Sequence, residues 1–237
     1  MSHAVSMGEA ASSSMLGRPL AGGVVNTLRG VFPGTEVVTG GWLDDDGDRA
    51  GRKEMSRLHT ALLWDGMTGY ACLFTGVGGH YKGPRYAFAS TSQRFFEWPA
   101  QRKELLTASA AAAPMSDVYL APMLRASRGR KKGSGAPSRY LWADVDGQWT
   151  EERSEALVPL MAEGSFVVSS GSGRHVYVRL DEALPPAAVE QLNRRLAVLL
   201  DGDAKWDDTA LLRLAGTWNH KSRALGGGSH LVGWCLP

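Results

Sequence analysis

Two aspartates, Asp144 and Asp146, lie two residues apart at the end of an apolar run whose side chains alternate between two faces. In a strand, residues two apart point to the same side, so both carboxylates project together while Ala143 and Val145 lie on the apolar face. Carboxylates paired in this way can bind two divalent cations about 3.5 to 4 Å apart, which serve phosphoryl transfer by activating an attacking hydroxyl and stabilising the leaving group. Two aspartates at a solvated strand end are the alternative interpretation.

A turn of small residues precedes Arg174 and His175 at the start of a second alternating run. Backbone amides of such a turn can form an anion-binding nest, and an imidazole can hydrogen-bond a phosphate oxygen. The segment therefore predicts phosphate binding by Ser172, Arg174 and His175. A histidine that is simply a satisfied polar residue at a strand start is the alternative.

A third polar segment combines several acids, among them Asp203 and Asp207, with Arg213, Asn219 and Lys221 around a Gly-Thr turn. A guanidinium fork and an ammonium group near carboxylate-held metals match the charge of a nucleoside triphosphate. The spacing predicts a second set of phosphate ligands. A charged loop after a helix is the alternative.

The first half of the chain contains the elements that must support these segments. Short apolar, aromatic-rich runs separated by glycines predict three strands of one sheet, which are ALLW from Ala61, YACLFT from Tyr70 and RYAFAS from Arg85. A helix is predicted over Ser92–Ala113, ended by Pro114, and a short strand is predicted in DVYLAP.

The second half alternates strands and helices. After the strand that carries the aspartates, a helix is predicted from Glu151, capped by Thr150 and closed by Gly164. SFVVSS and HVYVRL then form a strand pair joined by a tight turn. A helix opened by Pro186 covers a sheet with apolar residues at helical spacing: Val189, Leu192, Leu196 and Leu199. This order predicts an α+β fold with helices packed on one face of a sheet.

Bulk properties exclude several protein classes. A chain of 237 residues that is 43% hydrophobic and 21% charged, without an apolar run long enough for a membrane span, indicates a soluble globular protein. Cys72 and Cys235 are too few for a thiolate zinc knuckle and do not suggest a disulfide framework, so a reducing cytoplasm is the expected setting. The net charge of +2 is too small to indicate nucleic-acid binding by itself.

Two segments near the start are set apart from the fold. Residues 1–20 lack periodicity and a signal-peptide pattern, and we expect a flexible leader there. The segment Gly40–Arg52 carries four aspartates among glycines but lacks the ordered spacing and terminal glutamate of a calcium loop, which favours a solvated turn.

The three polar segments, in this order, resemble the archaeo-eukaryotic primase superfamily, and more closely the bifunctional primase-polymerase domains of phages, plasmids and mobile elements. LWADVDG is similar to the family's metal-binding acid pair, SGSGRH to its nucleotide-binding histidine motif, and LLRLAGTWNHK to its third motif. The resemblance extends from about Asp117 to Lys221 and is diffuse before that. It implies a primase-like catalytic core with mixed or antiparallel sheets, packed helices and an RRM-like C-terminal half. We expect one catalytic domain over 21–237, with an N-terminal lobe at 21–125 and a metal- and nucleotide-binding lobe at 126–237.

The resemblance also implies residue roles. Asp144 and Asp146 would be catalytic metal ligands, and His175, with Arg174 and Ser172 of its turn, would contact the incoming nucleotide. Arg213, Asn219 and Lys221 would serve the phosphates. The family's third carboxylate precedes the arginine by about ten residues, which favours Asp203 but leaves Asp207 open. The chain departs from the family pattern at Ala215, where proline is common.

A basic, glycine-rich segment at 125–137 has no apolar face. Lys132 stands 12 positions before Asp144, and loops on a rigid scaffold often carry binding residues. We expect template, primer strand or triphosphate to bind four of its cations: Arg128, Arg130, Lys131 and Lys132. A solvated linker is the alternative.

The function that the resemblance implies is template-directed nucleotidyl transfer, with primer synthesis or extension on single-stranded DNA by two metal ions during replication. Magnesium or manganese suits oxygen ligands and phosphates, and ribonucleotides or deoxyribonucleotides would be the substrates. Single-stranded template, primer and a helicase module or replisome protein are the expected partners. The alternatives are a polymerase that extends but does not start chains, a nonenzymatic replication-initiation or DNA-binding module, and a metal-dependent nuclease.

Overall fold

The computed structural model describes residues 49–235. The expected leader at 1–20 and most of the acidic segment at 40–52 lie outside the described residues. Within 49–235, none of the helices combines the length and apolar character needed to cross a membrane.

Four α-helices and two short 3-10 helices are present in the described part of the chain. The α-helices are α1 (Arg49–Leu63), α2 (Arg102–Ala112), α3 (Glu151–Leu157) and α4 (Pro186–Leu200). The 3-10 helices are Val158–Leu160 and Lys221–Leu225.

The strands form two four-stranded antiparallel sheets and one small pair. The first sheet has the order β2-β1-β3-β7 and consists of β1 (Gly69–Lys82), β2 (Arg85–Trp98), β3 (Asp117–Leu120) and β7 (Leu212–Arg213). The second has the order β10-β5-β6-β4 and consists of β4 (Ser138–Asp146), β5 (Phe166–Ser169), β6 (Gly173–Leu184) and β10 (Gly233–Cys235). The small pair joins β8 (Trp218–Asn219) to β9 (His230–Leu231).

The α+β fold class is confirmed, and so is the order of elements in the C-terminal half. β4, α3, β5, β6, α4 and β10 follow one another as strand, helix, hairpin, helix and strand, with three short strands inserted before β10. The hydroxyl of Thr150 accepts a hydrogen bond from the backbone N–H of Arg153, which confirms the predicted cap of α3. β7 joins the first sheet although it comes from the second half of the chain, so the two halves interlock.

The prediction of a strand at ALLW is wrong, because this run forms the end of α1 and the turn after it. Alanine and leucine favour a helix, and the run contains no β-branched residue. Ala61 to Trp64 are all buried in the core. Complete burial removes the amphipathic periodicity that separates a helix from a strand.

The predicted helix over Ser92–Ala113 is correct only from Arg102 onward. The residues before Pro99 continue β2, whose Phe95 and Phe96 pair with Cys72 and Ala71 of β1. Aromatic residues favour strands, and proline interrupts the regular backbone hydrogen bonding, so the strand ends there and a shorter helix follows.

The core has two parts, on the two faces of the second sheet. Ala143 and Val145 of β4 pack with Leu196 and Leu200 of α4, as the apolar face of the strand predicted. On the opposite face, Tyr140 and Trp142 are buried with residues of the first sheet and α1. The aspartate-bearing face of β4 is therefore open only near its end.

One core prediction for α4 is wrong. Leu199 is exposed, and Leu200 is fully buried in its place. Val189 and Leu196 are buried and Leu192 is partly buried, as predicted. The buried face of the helix thus shifts by one residue in its last turn.

Candidate active site

The segment after α4 follows the edge of β4 that no other strand occupies in the described sheet. α4 ends at Asp201, whose φ of 51° lies in the left-handed region and turns the chain toward β4. Gly202 passes so close that a Cβ there would lie 2.8 Å from the Asp144 carbonyl oxygen. Asp203 then donates its backbone N–H to that carbonyl at 2.7 Å. Asp203 is thereby fixed beside Asp144.

A buried asparagine completes this attachment. Asn193 of α4 accepts a hydrogen bond from the Trp142 backbone N–H at 2.9 Å and donates to the Trp206 carbonyl at 3.0 Å. The Trp142 indole N–H donates to the Lys205 carbonyl at 2.8 Å. Residues 203–206 are therefore tied to β4 at several points, which places the Lys205 side chain at the acidic end of the strand.

Asp144 lies at the centre of the site. It stands directly opposite His175 across the β4–β6 pair, and its Oδ1 lies 3.4 Å from His175 Nε2. Its Oδ2 accepts a hydrogen bond from the Lys205 ammonium. The Asp144 side chain is 3% exposed, whereas that of Lys205 is 43% exposed. The buried carboxylate is thus neutralised by a cation that stands at the solvent boundary.

The electrostatics of Asp144 follow from these contacts. Burial alone would raise the pKa of its carboxyl, but the interaction with His175 and the Lys205 ammonium outweighs burial, so the pKa is lowered. Arg213 contributes in the same direction. Asp144 is therefore ionised at neutral pH.

Asp146 is the exposed member of the pair, at the end of β4. Desolvation at the strand end, together with the negative charges of Asp144 and Asp203, raises the pKa of its carboxyl. Lys205 and Lys221 act in the opposite direction. Three carboxylates thus share one region of negative potential at the end of β4.

These carboxylates suit a divalent cation by their chemistry. Within residues 49–235, no three side chains of the metal-binding types already surround a common point. Carboxylate oxygens are the ligands that Mg²⁺ and Mn²⁺ prefer, and a cation would relieve the repulsion that raises the Asp146 pKa. The donor set of Asp144, Asp146 and Asp203 fits such an ion if Lys205 releases Asp144.

Asp203 and Asp207, which the sequence could not separate, have different surroundings. The Asp207 carboxylate accepts hydrogen bonds from the backbone N–H and hydroxyl of Thr209 at 2.9 and 2.7 Å. It also lies 3.9 Å from the Lys132 ammonium. Asp203 contributes to the electrostatics of Asp146, and Asp207 is turned toward the basic loop. This geometry favours Asp203 as the third carboxylate.

His175 is buried on the same face as Asp144. Burial lowers the pKa of its imidazole to about 4, with Lys205 and Arg213 adding to the effect and Asp144 opposing it. The ring is neutral at neutral pH, so it can act as a hydrogen-bond partner and not as a cation. Its Nδ1 makes no hydrogen bond of normal geometry within the described part of the chain.

Arg213 connects the two sheets electrostatically. Its guanidinium forms an ion pair with the buried Asp117 of β3 and lies over the Tyr119 ring, 4.8 Å from the centroid. Arg213 also shifts the pKa values of Asp144 and His175. The predicted phosphate ligand is therefore near the acidic centre but is held by a carboxylate of the first sheet.

The predicted phosphate-binding turn is divided between two faces. His175 shares a face with Asp144, whereas Arg174 stands opposite Val145 and lies over the Trp149 ring at 4.6 Å. The carbonyl of Ser172 accepts the Gly147 backbone N–H at 3.1 Å. Strand alternation therefore separates Arg174 from His175.

Asn219 and Lys221 have separate tasks. The Asn219 side chain donates to the Ser170 carbonyl at 2.6 Å and accepts the Lys221 backbone N–H at 3.0 Å, so it braces the turn between β5 and β6. Lys221 lowers the pKa of Asp146. Its ammonium is thus within electrostatic range of the acidic centre.

The basic loop is organised around a buried arginine. Arg125 forms an ion pair with Asp208, Nη2 to Oδ2 at 3.1 Å, and donates to the carbonyls of Gly129 and Lys131 at 3.2 and 2.8 Å. The carboxylate of Asp208 also accepts the Gly133 backbone N–H at 3.0 Å. These hydrogen bonds give the loop a defined conformation and attach it to residues 207–209.

The four loop cations lie along neighbouring elements. Arg130 donates to Gln93 of β2 at 3.1 Å and to the Thr209 carbonyl at 2.6 Å. Lys132 pairs with Glu190 of α4 at 3.1 Å. Arg128 lies over the Tyr70 ring at 5.5 Å, and Lys131 contributes its carbonyl to Arg125. None of these contacts within residues 49–235 reaches Asp144, although the loop directly precedes β4.

Sequence reasoning missed three residues of this site: Lys205, Asn193 and Asp117. Their partners are remote in sequence, since Lys205 is 61 positions from Asp144 and Asp117 is 96 from Arg213. Asn193 alone left a signal, because it is a polar residue between the apolar positions of α4. A buried polar residue must find hydrogen-bond partners, which indicates contact with another element.

Comparison with known proteins tests the fold. No family model and no curated protein matches the sequence. Among solved structures, primase RepB′ matches with a TM-score of 0.54 and 17% identity, over 78% of this chain and 56% of that chain. The primase-polymerase AEP domain of cyanophage S-2L matches with a TM-score of 0.52 and 15% identity, over 70% of this chain and 83% of that one. The chain has the archaeo-eukaryotic primase fold.

A third structure agrees with this assignment. The catalytic domain of primase RepB′ in complex with initiator DNA has a TM-score of 0.53 and 16% identity, and covers 79% of this chain and 84% of that chain. This chain therefore corresponds to most of that catalytic domain and to about half of the longer RepB′ structure.

The departure from the primase pattern at Ala215 has a structural counterpart. The Ala215 backbone N–H donates to Nδ1 of the buried His59 at 3.1 Å, and its carbonyl accepts the Ser56 hydroxyl at 2.7 Å. A proline has no N–H and could not make the first bond. Ala215 and His59 form a matched pair in this primase fold.

Proposed function

We propose that this chain is a nucleotidyltransferase that joins nucleotides on a single-stranded DNA template, as a primase, a polymerase or both. The observation that carries the proposal is the convergence of Asp144, Asp146 and Asp203 at the end of β4, with His175 and Lys205 in contact with Asp144. Arg213 and Lys221 supply positive charge around this centre.

Asp144, Asp146 and Asp203 would hold magnesium or manganese. When bound, the ions would activate the attacking 3′ hydroxyl and neutralise charge on the phosphates. The contribution of the protein is a set of carboxylates fixed by β4 and by the attached segment 203–206, which limits the reorganisation needed for catalysis. Asp207 remains an alternative ligand that its contacts with Thr209 disfavour.

Arg213 and Lys221 would bind the triphosphate, with His175 as a neutral hydrogen-bond partner. Ser172 and Asn219 would shape the turn that faces the nucleotide. Arg174 would act from the other face of β6, by packing on Trp149. In the basic loop, Arg128, Arg130, Lys131 and Lys132 would contact the nucleic-acid backbone, where the loop meets β2.

The matched structures support a nucleic-acid substrate, since one is a primase catalytic domain in complex with initiator DNA and another is a primase-polymerase. Chain initiation and primer extension use the same phosphoryl transfer. An extending polymerase that does not start chains is therefore the second candidate, and substrate choice separates the two.

The test is incorporation of labelled ribonucleotides or deoxyribonucleotides on unprimed and primed single-stranded DNA, with magnesium or manganese. Asp146→Asn removes one carboxylate charge at an exposed position, so the fold should persist. We expect metal-dependent products from the wild type, and a loss of about a hundredfold or more in the variant. Products on both templates would identify a primase-polymerase, and products on the primed template alone an extending polymerase.

Asp181→Asn, an exposed site on β6 outside the acidic centre, is the matched control and should retain the wild-type rate. Shortening of the template or primer strand without nucleotide incorporation would identify a nuclease. Absence of both reactions in folded protein that binds DNA would overturn the proposal in favour of a nonenzymatic binding module.

A further inference from the structure

The hairpin of β1 and β2 carries a row of aromatic rings that the proposed chemistry does not use. Ring centroids of Tyr81 and Tyr86 lie 5.4 Å apart, and those of Tyr86 and Phe88 lie 5.3 Å apart. Phe88 continues to Phe74 and to Tyr119 of β3, at 6.2 Å in both cases. We call these five residues the aromatic row.

Glycines make space for the row. A Cβ on Gly76 would lie 2.5 Å from the Phe88 ring, and a Cβ on Gly79 would overlap Tyr86. The missing side chains of Gly76 and Gly79 thus leave the space that the Phe88 and Tyr86 rings occupy over β1. Side chains at either position would displace the rings.

The inner end of the row reaches the acidic centre. Tyr119 lies under the Arg213 guanidinium, and the Tyr86 hydroxyl donates to Asp117 at 3.2 Å, the carboxylate that pairs with Arg213. The pKa of Tyr119 is raised by burial and also by Asp117 and Asp144, against the effect of Arg213. The row therefore begins where the proposed nucleotide site ends.

The rings remain accessible to a ligand. Tyr81 is 37% exposed, and the other four are partly buried. Tyr81 packs against the Tyr86 ring but contributes little buried surface to the core, so the outer end of the row is available to a ligand.

The charge of the hairpin selects the class of ligand. Residues 66–96 contain no aspartate or glutamate, while Lys82 and Arg85 face each other at the tip. At the other end, Arg130 donates to Gln93, the residue directly opposite Phe74. Cations at both ends of an aromatic row suit a polyanion with planar groups, which is a single strand of nucleic acid.

We propose that the aromatic row binds single-stranded DNA by stacking its bases on the rings, and so guides the template strand to the acidic centre. This inference rests on the proposed function only for the path of the strand toward the acidic centre. The stacking of bases on the rings does not depend on the proposed function. From Phe74 to Tyr81 the strand extends over roughly 23 Å, enough for several nucleotides. Stacking on these rings tolerates any base sequence, as a template site requires.

The experiment measures the affinity of a fluorescent 12-nucleotide thymidine strand by anisotropy, without divalent metal or nucleoside triphosphate. Two double variants are compared: Tyr81→Leu with Tyr86→Leu, and Tyr81→Phe with Tyr86→Phe. Both double variants lose the Tyr86 hydroxyl that contacts Asp117. They differ only in that the phenylalanine pair keeps the two aromatic rings and the leucine pair does not. We expect the leucine pair to bind at least about tenfold more weakly than wild type, and the phenylalanine pair to bind within about twofold of it.

A strand of the same length and charge without bases provides an independent arm. It should bind the wild type at least about tenfold more weakly than the thymidine strand. Equal affinity for both strands, or unchanged affinity in the leucine pair, would overturn the inference. If the leucine pair does not fold, the single variant Tyr81→Leu, at the exposed end of the row, replaces it. We expect this variant to bind the thymidine strand about fivefold more weakly than wild type, and unchanged binding would also overturn the inference.

The arms also separate this inference from the proposed function. Base-dependent binding that persists in a chain without nucleotide incorporation would support the aromatic row and count against the enzymatic proposal. Incorporation in a leucine pair with unchanged DNA affinity would support the enzyme and count against the row.

Discussion

Asp144 and Asp208 are both buried aspartates paired with a cation, yet their surroundings differ in one respect. The partner of Asp208 is Arg125, whose side chain is completely buried, whereas the partner of Asp144 is Lys205, at 43% exposure. The first pair is closed to solvent, and backbone groups of the loop hydrogen-bond the Arg125 guanidinium and the Oδ2 atom of Asp208, whereas Asp208 Oδ1 has no hydrogen-bond partner among the described residues. The second pair is open on the side of the cation. A buried carboxylate with a replaceable partner can exchange that partner for a metal ion.

The difference explains why one acid is structural and the other is proposed to be catalytic. Two charges removed from water are stabilised only when both are paired and hydrogen-bonded. Arg125 donates to several carbonyls in addition to Asp208, so its removal disrupts the whole loop. Lys205 is held through its backbone, and its ammonium contacts the Asp144 carboxylate.

The largest effect is expected when the closed pair is broken. Arg125→Met leaves the Asp208 carboxylate buried without its cation, and we expect the free energy of unfolding to fall by about 3 to 5 kcal/mol. Urea unfolding followed by tryptophan fluorescence measures the change.

Arg125→Met combined with Asp208→Asn is the control, because the amide removes the stranded charge while keeping an acceptor for Gly133 and Gly135. The double variant should recover part of the loss. A single variant as stable as the wild type would show that the pair is not the closed structural contact described.

A smaller effect is expected at the second closed contact, between Ala215 and His59. Ala215→Pro removes the N–H that donates to His59 Nδ1, and leaving this buried acceptor unsatisfied should cost about 1 to 3 kcal/mol. Thermal unfolding compares it with Ala215→Gly, which keeps the N–H. Equal stability of the two variants would contradict the matched-pair interpretation.

The same histidine gives a pH dependence of stability. Burial lowers the pKa of His59 to about 3, with His175 adding to the effect, from an ordinary value near 6.5. The unfolded chain therefore takes up a proton first, and stability present above pH 6.5 is lost as the pH falls toward 3. The expected loss is about 1.4 kcal/mol for each pH unit in that window.

Urea unfolding between pH 7 and 5 measures this slope in the wild type and in His59→Gln. The variant should have a slope shallower by about one proton, whatever its absolute stability. Identical slopes would show that His59 is not held neutral by burial.

Local patterns predicted much of this fold, and long-range contacts account for what they missed. Alternation located β4 and the β5–β6 hairpin, and helical spacing located α4, because each pattern lies within one element. ALLW was wrong because a fully buried helix end has no polar face to reveal its period. The continuation of β2 up to Trp98 depended on pairing with β1, which spacing within the segment does not report.

In the candidate site too, local patterns predicted some residues and long-range contacts account for the others. Alternation placed Asp144 and Asp146 on one face of β4, and the small-residue turn placed His175 near the start of β6. The strand pairing that puts His175 opposite Asp144 was not predicted. Asp203 could not be separated from Asp207, because the distinction depends on hydrogen bonds between the segment after α4 and β4. Lys205 carried no local signal, and its contact with Asp144 exists only in the folded chain.

The smallest effect is expected when the open pair is broken by the same substitution. Lys205→Met removes a half-exposed ammonium from a buried carboxylate that solvent can still reach on the side of the cation, so stability should fall by less than about 2 kcal/mol, in contrast to Arg125→Met. The freed Asp144 carboxylate should bind Mn²⁺ more tightly, by up to about fivefold, because the ion no longer competes with Lys205. Isothermal titration with MnCl₂ measures this without any catalytic assay, and Lys205→Arg, which keeps the charge, should bind as the wild type does. Weaker Mn²⁺ binding in Lys205→Met would mean that Lys205 organises the carboxylates and does not compete for them, and the contrast between open and closed pairs would then fail.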